Sequence, residues 1–513
     1  MDTETKSLKD TPAAVTAKRW MWITPLKKQC FVTLGVSLNM MAHGLVMGFA
    51  AILLPSLKAE NSPIPINDTS GSWIASILGF ALVAGNFINP SIMSRYGRRV
   101  ANLTSIIPLI TGWVIIIFAV NIPMLLVARF LQGISMGMSS SLGPVLIGEY
   151  TSPKNRGAFL TTISVAIATG VLIVHTLGSY ITWKKTALIC CTIALTDLCI
   201  VFYSPESPSF LADKRRFEEC RSVFRWLRGD DENEELENMI RATQEMIEVN
   251  KPQSLKKKIR EFIKNVNITI RKRDFYKPII LMMVIYTMGQ WAGANLLAAY
   301  IQDIVHGVIG DDFNIPILII TIDVQRIISN TCAVYVIKKV KRRTMLFATG
   351  GLNVFAFLAT ALYVYAKTNN FLPFNQPIVG ALLIHLHMFT IATGMVPLPF
   401  IIAGEVFPLR YRSLAGGISV LFLSSNLFIT VKTASWLFKV IGLWGAYILY
   451  AGVVGLCLCV AAVLMPETKD RTLQDIEDEF RGRPLSPEEI KSIESLTSMK
   501  FYKLDRRCSS PVI

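Results

Sequence analysis

Charge is scarce in this chain of 513 residues: Asp, Glu, Lys and Arg make up 17% of it, against 52% hydrophobic residues. That balance excludes a single water-soluble core. Acidic residues are scarcer than basic ones, leaving a formal net charge of +16. A nucleic-acid binder would gather such an excess into one patch or stripe; here the cations cluster between alternate apolar runs, and no nucleic acid is expected as a partner. The nine cysteines (Cys30, Cys190, Cys191, Cys199, Cys220, Cys332, Cys457, Cys459 and Cys508) lie in the apolar runs or on the side of the cations. Neither a disulfide framework nor a metal site follows from that spacing. The polar opening MDTETKSLKDTPAAV has no apolar core and no cleavage site, so it is not read as a signal peptide. A nucleophile triad, a nucleotide loop and a redox motif are also missing. No enzyme activity, cofactor or metal is expected.

What the chain has in abundance is long apolar runs, each of about 20 residues or more and so able to cross a hydrocarbon layer of about 30 Å. They lie near Phe31 to Leu54, Ser72 to Met93, Ala101 to Val120, Met124 to Ile147, Ala158 to Ile181 and Thr186 to Tyr203. A second six follow near Pro278 to Ile304, Ile315 to Ile337, Thr344 to Tyr365, Ile378 to Ala403, Leu414 to Leu437 and Gly442 to Met465. Lys18, Arg19, Lys27 and Lys28 precede the first run, Arg95, Arg98 and Arg99 follow the second, and Lys154 and Arg156 follow the fourth. This is positive-inside patterning, which puts both termini in the cytoplasm. The expected class is an all-α membrane protein in two six-helix halves, residues 30–204 and 277–466. A cytoplasmic tail (1–29), a helical linker (205–276) and a second tail (467–513) complete the division. Within the linker, Leu236, Met239, Ile240 and Met246 recur at near-helical spacing among charges, as on an amphipathic helix.

The halves share their punctuation. GEYTSPKNR (Gly148 to Arg156) returns as GEVFPLRYR (Gly404 to Arg412), with Glu, Pro and Arg in the same order at a span end. SRYGRR (Ser94 to Arg99) after the second run is echoed by KKVKRR (Lys338 to Arg343) after the eighth, and PESPSFL at Pro205 by PETKDRTL at Pro466. Three signals in one order at equivalent loops mark an internal duplication, a common plan among secondary transporters.

With these motifs the chain resembles the sugar porters of the major facilitator superfamily, over about Thr33 to Phe480. GSWIAS before span two and GMVPLPF...GEVFPLR in span ten resemble the insect facilitated trehalose and hexose transporters. The resemblance implies a monomeric, multi-pass carrier in the plasma membrane that moves a small polar solute such as a sugar across the lipid bilayer by alternating access. It also implies a cytoplasmic gate built from Arg98, Arg99, Glu149, Arg156, Glu206, Arg342, Arg343, Glu405, Arg412 and Glu467, joining the halves. The usual Asp before the basic turn is Ser94 in one half and Lys338 in the other, and the turn Gly is Lys341 in the second copy.

For the ligand, GQWAGAN in span seven resembles the family's QQxSGxN and sets Gln290 and Asn295 in the matching places. Amides both donate and accept, as a neutral polyol requires. On an ideal helix these two lie about 140° apart, so both reach one ligand only if the helix unwinds, which Gly289 and Gly293 permit. Other family positions are altered: Ser164 in span five, Phe400 in span ten, Leu423 with Asn426 a turn on in span eleven, and Arg326 in span eight. Asp323, Arg326 and Asn330 share one helical stripe. A mid-span Arg must face protein or water, so Arg326 and Asp323 are either a pair that ties helices together or charges in the cavity. Span one holds no carboxylate, only His43, which favours facilitated diffusion over proton coupling; Asp197 and Asp323 are the alternative proton carriers. His385 and His387, two residues apart, point to different faces and make no metal pair. Asn67 is the one sequon on the outer side. Rival readings are a carrier of a non-sugar or anionic solute on the same fold, or a weakly transporting sensor.

Overall fold

A computed structural model describes residues 24–230, 232–249, 272–310, 314–371, 377–407, 412–471 and 473–482. Among them the regular elements are all helical, and 12 helices are long and apolar enough to cross a membrane. The first half comprises α1 (Pro25–Lys58), α2 (Asp68–Tyr96), α3 (Arg98–Ile117), α4 (Ile122–Tyr150), α5 (Pro153–Tyr180) and α6 (Trp183–Tyr203). In the second half span seven is split into α10 (Arg273–Trp291) and α11 (Ala294–Ile309); α12 (Ile315–Lys339) and α13 (Arg342–Thr368) follow. Span ten consists of α14 (Pro377–Thr390), a π-helical turn (Ile391–Met395) and α15 (Pro397–Val406). It leads to α16 (Arg412–Val440) and α17 (Gly442–Leu464).

Local chemistry sets many of the helix starts. Asn67, Asn121 and Asn314 each accept a hydrogen bond from the backbone N–H three residues on, at 2.7, 3.0 and 3.2 Å. Proline stands in the first turn of α1, α4, α5, α12 and α15, where its missing N–H costs nothing. The exposed sequon residue Asn67 is therefore also the cap of span two.

Lipid offers apolar helices no hydrophobic drive to associate, so spans pack through small residues that let backbones touch. A Cβ on Gly44 would lie 2.0 Å from the carbonyl oxygen of Ile167, and one on Gly170 would lie 2.0 Å from that of Met41. Spans one and five thus cross glycine against backbone in both directions. Gly85 and Gly137 do the same for spans two and four, each 2.2 Å from a carbonyl oxygen of the other helix.

The halves meet along α2 with α16, α5 with α12 and α1 with α11. Polar contacts between them lie toward the face away from the basic turns. Lys439 reaches Asp68 at 3.1 Å and Lys432 donates to Ser72 at 2.8 Å, while Gly79 leaves no room for a Cβ against the Phe428 backbone nitrogen, 2.7 Å away. At the basic ends of spans four, five, ten and eleven, Gly148, Gly157, Gly404, Gly416 and Gly417 have no neighbouring atom within 4 Å of the Cβ position. The described halves thus touch on one face, and no hydrogen bond or ion pair joins them among the described residues on the basic one.

Between the halves α7 (Pro208–Asp213), α8 (Phe217–Arg228) and α9 (Asn233–Val249) share a small core of Leu211, Ala212, Cys220, Phe224, Leu236 and Ile240. The expected amphipathic face is used by Leu236, Met239 and Ile240; the side chain of Met246 lies outside the described residues. Arg228 docks this unit on the end of α4, donating to the Thr151 carbonyl at 2.8 Å and to Glu235 at 2.9 Å. Gln29 ties α1 to the same place through the Leu227 carbonyl at 3.2 Å and the Ser152 N–H at 3.3 Å. A final helix, α18 (Leu473–Arg481), returns to the start of α10 through Arg481 and Asp274 at 3.5 Å.

Candidate functional site

Span seven breaks at Gly293, which adopts φ +100° in the left-handed region. A broken helix leaves backbone carbonyls unpaired inside an apolar bundle, a cost the neighbours must remove. The Ala292 carbonyl accepts from His387 Nε2 at 2.8 Å and from Asn353 Nδ2 at 3.4 Å, and Asn353 also donates to Thr390 at 2.9 Å. His387 thus serves the break in span seven, whereas His385 sits on Gln325 and Thr321 of α12. Gly289 stays helical, and its lack of a side chain admits the Met395 carbonyl of the π turn, 2.9 Å from the Cβ position. The break therefore uses Gly293 alone of the two glycines.

Its result is to bring Gln290 and Asn295 together, the Asn295 amide donating to the Gln290 carbonyl oxygen. Beside them Trp291 Nε1 donates to Asn426 Oδ1 at 3.2 Å, so Asn426 belongs to the same cluster. Ser164 is half-buried, its hydroxyl on the Thr161 carbonyl of its own helix at 3.1 Å. Phe400 is 58% exposed, with its ring 6.0 Å from that of Tyr286. A separate open cavity of about 390 Å³ lies at the far end of spans one and seven, lined by Pro55, Gln302, Asp303, His306, Gly307 and Ile315, away from these amides.

Span eight bears on the two readings left open for Asp323 and Arg326. No Asp323–Arg326 ion pair forms; the Asp323 carboxylate instead meets Nδ1 of His175, on α5 of the other half, at 2.6 Å. The second ring nitrogen of His175 faces the Ala298 carbonyl of α11 at 3.3 Å. His175 escapes a reading of motifs because nothing marks it except an ionisable ring within an apolar span. Arg326, buried to 7% exposure, makes no hydrogen bond or ion pair among the described residues. Of the other candidate proton carriers, Asp197 is buried with neither carboxylate oxygen in hydrogen-bonding geometry, and His43 Nδ1 is buried without a partner.

At the basic face the repeated motifs interlock, though not as their spacing suggests. Glu149 does not pair with Arg156; it receives Nε and Nη2 of Arg98, the latter at 2.9 Å, together with the hydroxyl of Ser207. In the second copy Glu405 receives Nε and Nη2 of Arg342 at 3.3 and 3.2 Å, and the Thr468 hydroxyl at 2.6 Å. Glu206 caps α3 through the Arg98 and Arg99 N–H groups at 2.9 and 3.2 Å, and Glu467 caps α13 through those of Arg342 and Arg343 at 3.0 and 3.2 Å. A carboxylate at a helix N-terminus meets both free donors and the positive end of the dipole. Burial pushes the Glu206 carboxyl above the usual range. Burial also acts on Glu467, but four backbone N–H groups outweigh it and hold that carboxyl below the usual range. The second arginines repeat the symmetry: Arg99 donates to the Phe202 carbonyl and Arg343 to that of Ala462 at 2.8 Å.

These anchors lie within each half, correcting the expectation that they join the halves in the arrangement seen. The cause is geometric: each arginine is held by spans of its own half. Gly97 enters α3 at φ +106°, whereas Lys341 enters α13 at φ −62°, so the second copy needs no glycine. Among the described residues Ser94 donates only to the Ser91 carbonyl, at 3.1 Å. Arg156 has a buried Nε without a partner, and the side chain of Arg412 lies outside the described residues.

Comparison with known proteins agrees with this geometry. The chain is 25% identical over 481 residues to the mouse "Solute carrier family 2, facilitated glucose transporter member 8", covering 90% of this chain and 96% of the relative. It is 26% identical over 479 residues to the "Facilitated trehalose transporter Tret1" of Culex quinquefasciatus, covering 91% and 89%. Its fold is that of the inward-open xylose transporter XylE from E. coli, with a TM-score of 0.71 at 16% identity over 87% of this chain and 99% of that one. The family model described as "Sugar (and other) transporter" matches residues 32–480, and with two six-span halves, a broken seventh span and doubled basic-face anchors, this chain belongs to that family.

Proposed function

We propose that this protein is a facilitative carrier, a uniporter, of a sugar such as trehalose or a hexose, working by alternating access between its two halves. The observation that carries this reading is the Gln290–Asn295 amide pair at the span-seven break, joined by Trp291 and Asn426. A neutral polyol needs donors and acceptors in close alternation, and side-chain amides supply both. The curated relatives named above are described as facilitated sugar transporters, which supports the same class. Span one holds no carboxylate, which favours uniport over proton coupling.

Arg98, Arg99, Arg342 and Arg343 gather on the face that also carries α7 to α9, which supports placing that face and both termini in the cytoplasm. We place the carrier in the plasma membrane, as a monomer in the bilayer. In this reading the arrangement described is the inward-facing one. The Arg98–Glu149 and Arg342–Glu405 anchors make each half a rigid body, while Arg156 and Arg412 engage when the cytoplasmic gate closes.

A second reading rests on Arg326, a buried cation that makes no hydrogen bond or ion pair among the described residues and has the Asp323 carboxylate near it on its own helix, which suits an anionic solute. Uptake measurements on Arg326→Asn separate the two. The substitution restores the family's amide, so a sugar carrier keeps or gains sugar uptake at unchanged surface level. An anion carrier loses its substrate, with at least tenfold less uptake, since a charge-assisted hydrogen bond contributes about 1.5–3 kcal/mol.

A further inference from the structure

His175 ties the two halves together at a point no motif assigns. A carbonyl oxygen only accepts, so Nε2 must carry a proton to bond Ala298, and a carboxylate beside Nδ1 requires a proton there too, or on the carboxyl itself. The bridge therefore holds one proton more than a neutral imidazole beside a free carboxylate. It joins α5 of one half to α11 and α12 of the other on the side where the halves are closed.

We propose that the His175–Asp323 bridge is a proton-binding gate that keeps the face opposite the basic turns shut. When α5 and α12 separate, the bridge loses the paired acceptors that hold its extra proton, and that proton passes to the water that enters. Reclosure takes a proton from the same side. The proton leaves and returns on one side, so the gate senses pH without net proton movement, as a uniporter requires. The gate lies outside the amide cluster and does not depend on which solute is carried.

Few charged or titratable groups face the bridge from the elements packed against it. From α12, Arg326 lies near the Asp323 carboxylate. From α1, His175 meets Gly48, whose Cβ position is 3.1 Å from Nε2; His43 lies five residues earlier on that helix. On α11, Tyr300 is bonded to the Val431 carbonyl, and Asp303 and His306 line the far cavity. On α4, Arg129 is turned to the carbonyls of Val46 and Ile74. On α6, Asp197 lies beside Gly35, and on α14, His385 is held by Gln325.

The test needs no substrate, so it stands apart from the sugar reading. Spin labels at Tyr180→Cys and Ile317→Cys report the separation of α5 and α12 on the closed face; both positions are exposed. The protein is the full chain in lipid nanodiscs with its other cysteines replaced by serine. Because the closed state holds one more proton, its share over the open state is expected to fall as pH rises, by up to about tenfold per pH unit. His175→Gln and, independently, Asp323→Asn are expected to abolish that dependence. A distance distribution unchanged from pH 5.5 to 8.5 in the otherwise unaltered chain overturns the proposal, as does a full pH response that survives in either variant.

Discussion

Gly170→Val is expected to eliminate folded protein from the membrane. A Cβ at this position would stand 2.0 Å from the Met41 carbonyl oxygen, a backbone atom of a continuous helix that cannot rotate away. Relief requires α1 and α5 to part, and with them the reciprocal contact of Gly44 on the Ile167 carbonyl. Overpacking of this kind costs about 1–3 kcal/mol and more where backbone is the obstacle, against a total stability of only about 5–15 kcal/mol. Fluorescence-detected size exclusion of a tagged chain checks it: the monodisperse peak disappears for Gly170→Val and persists for Gly351→Val, where no atom lies within 4 Å of the Cβ position. Equal peaks for the two would show that spans one and five are spaced more widely than described.

Glu149→Lys is the second large effect. Arg98 and Glu149 are 14% and 16% exposed, so a lysine there sets two cations together in a poorly solvated site and strips Ser207 of its acceptor. Breaking such a pair costs about 3 kcal/mol, the lower end for a buried one because some solvent reaches it. As the pair ties spans three and four of one half, thermal stability and transport are expected to fall together. The exchange Arg98→Glu with Glu149→Lys recovers part of both, held back by repulsion between the new carboxylate and Glu206, which already caps the start of α3. A variant of normal stability that fails only in transport would assign the pair to closure between halves.

Much of this was legible in the chain because lipid imposes a simple rule, an apolar run of sufficient length for each crossing. The doubled GE, RR and PES/PET motifs were legible as a repeat, and each now has a job: carboxylate acceptor, arginine donor, helix cap and hydroxyl. Their partners were not legible. Glu149 and Arg156 are near in sequence, but α4 ends at Tyr150 and the chain reverses at Thr151 and Ser152, carrying Arg156 away while Arg98 arrives from 51 residues earlier. The break in span seven could be read from its glycines. That Gly293 rather than Gly289 carries it depends on His387 and Asn353, which capture the Ala292 carbonyl from spans ten and nine. His175 and Asp323 are 148 residues apart, and only the packing of the halves makes them neighbours.

The central claim is that a sugar crosses by facilitated alternating access, and counterflow tests it most directly. The purified chain is reconstituted in liposomes loaded with unlabelled trehalose, glucose or fructose and diluted into a trace of the same labelled sugar. For at least one of these sugars, label is predicted to accumulate transiently above its outside concentration, with the same overshoot when a protonophore is present. Folded protein that gives no overshoot with any of them, or one that appears only under a proton gradient, would contradict the account.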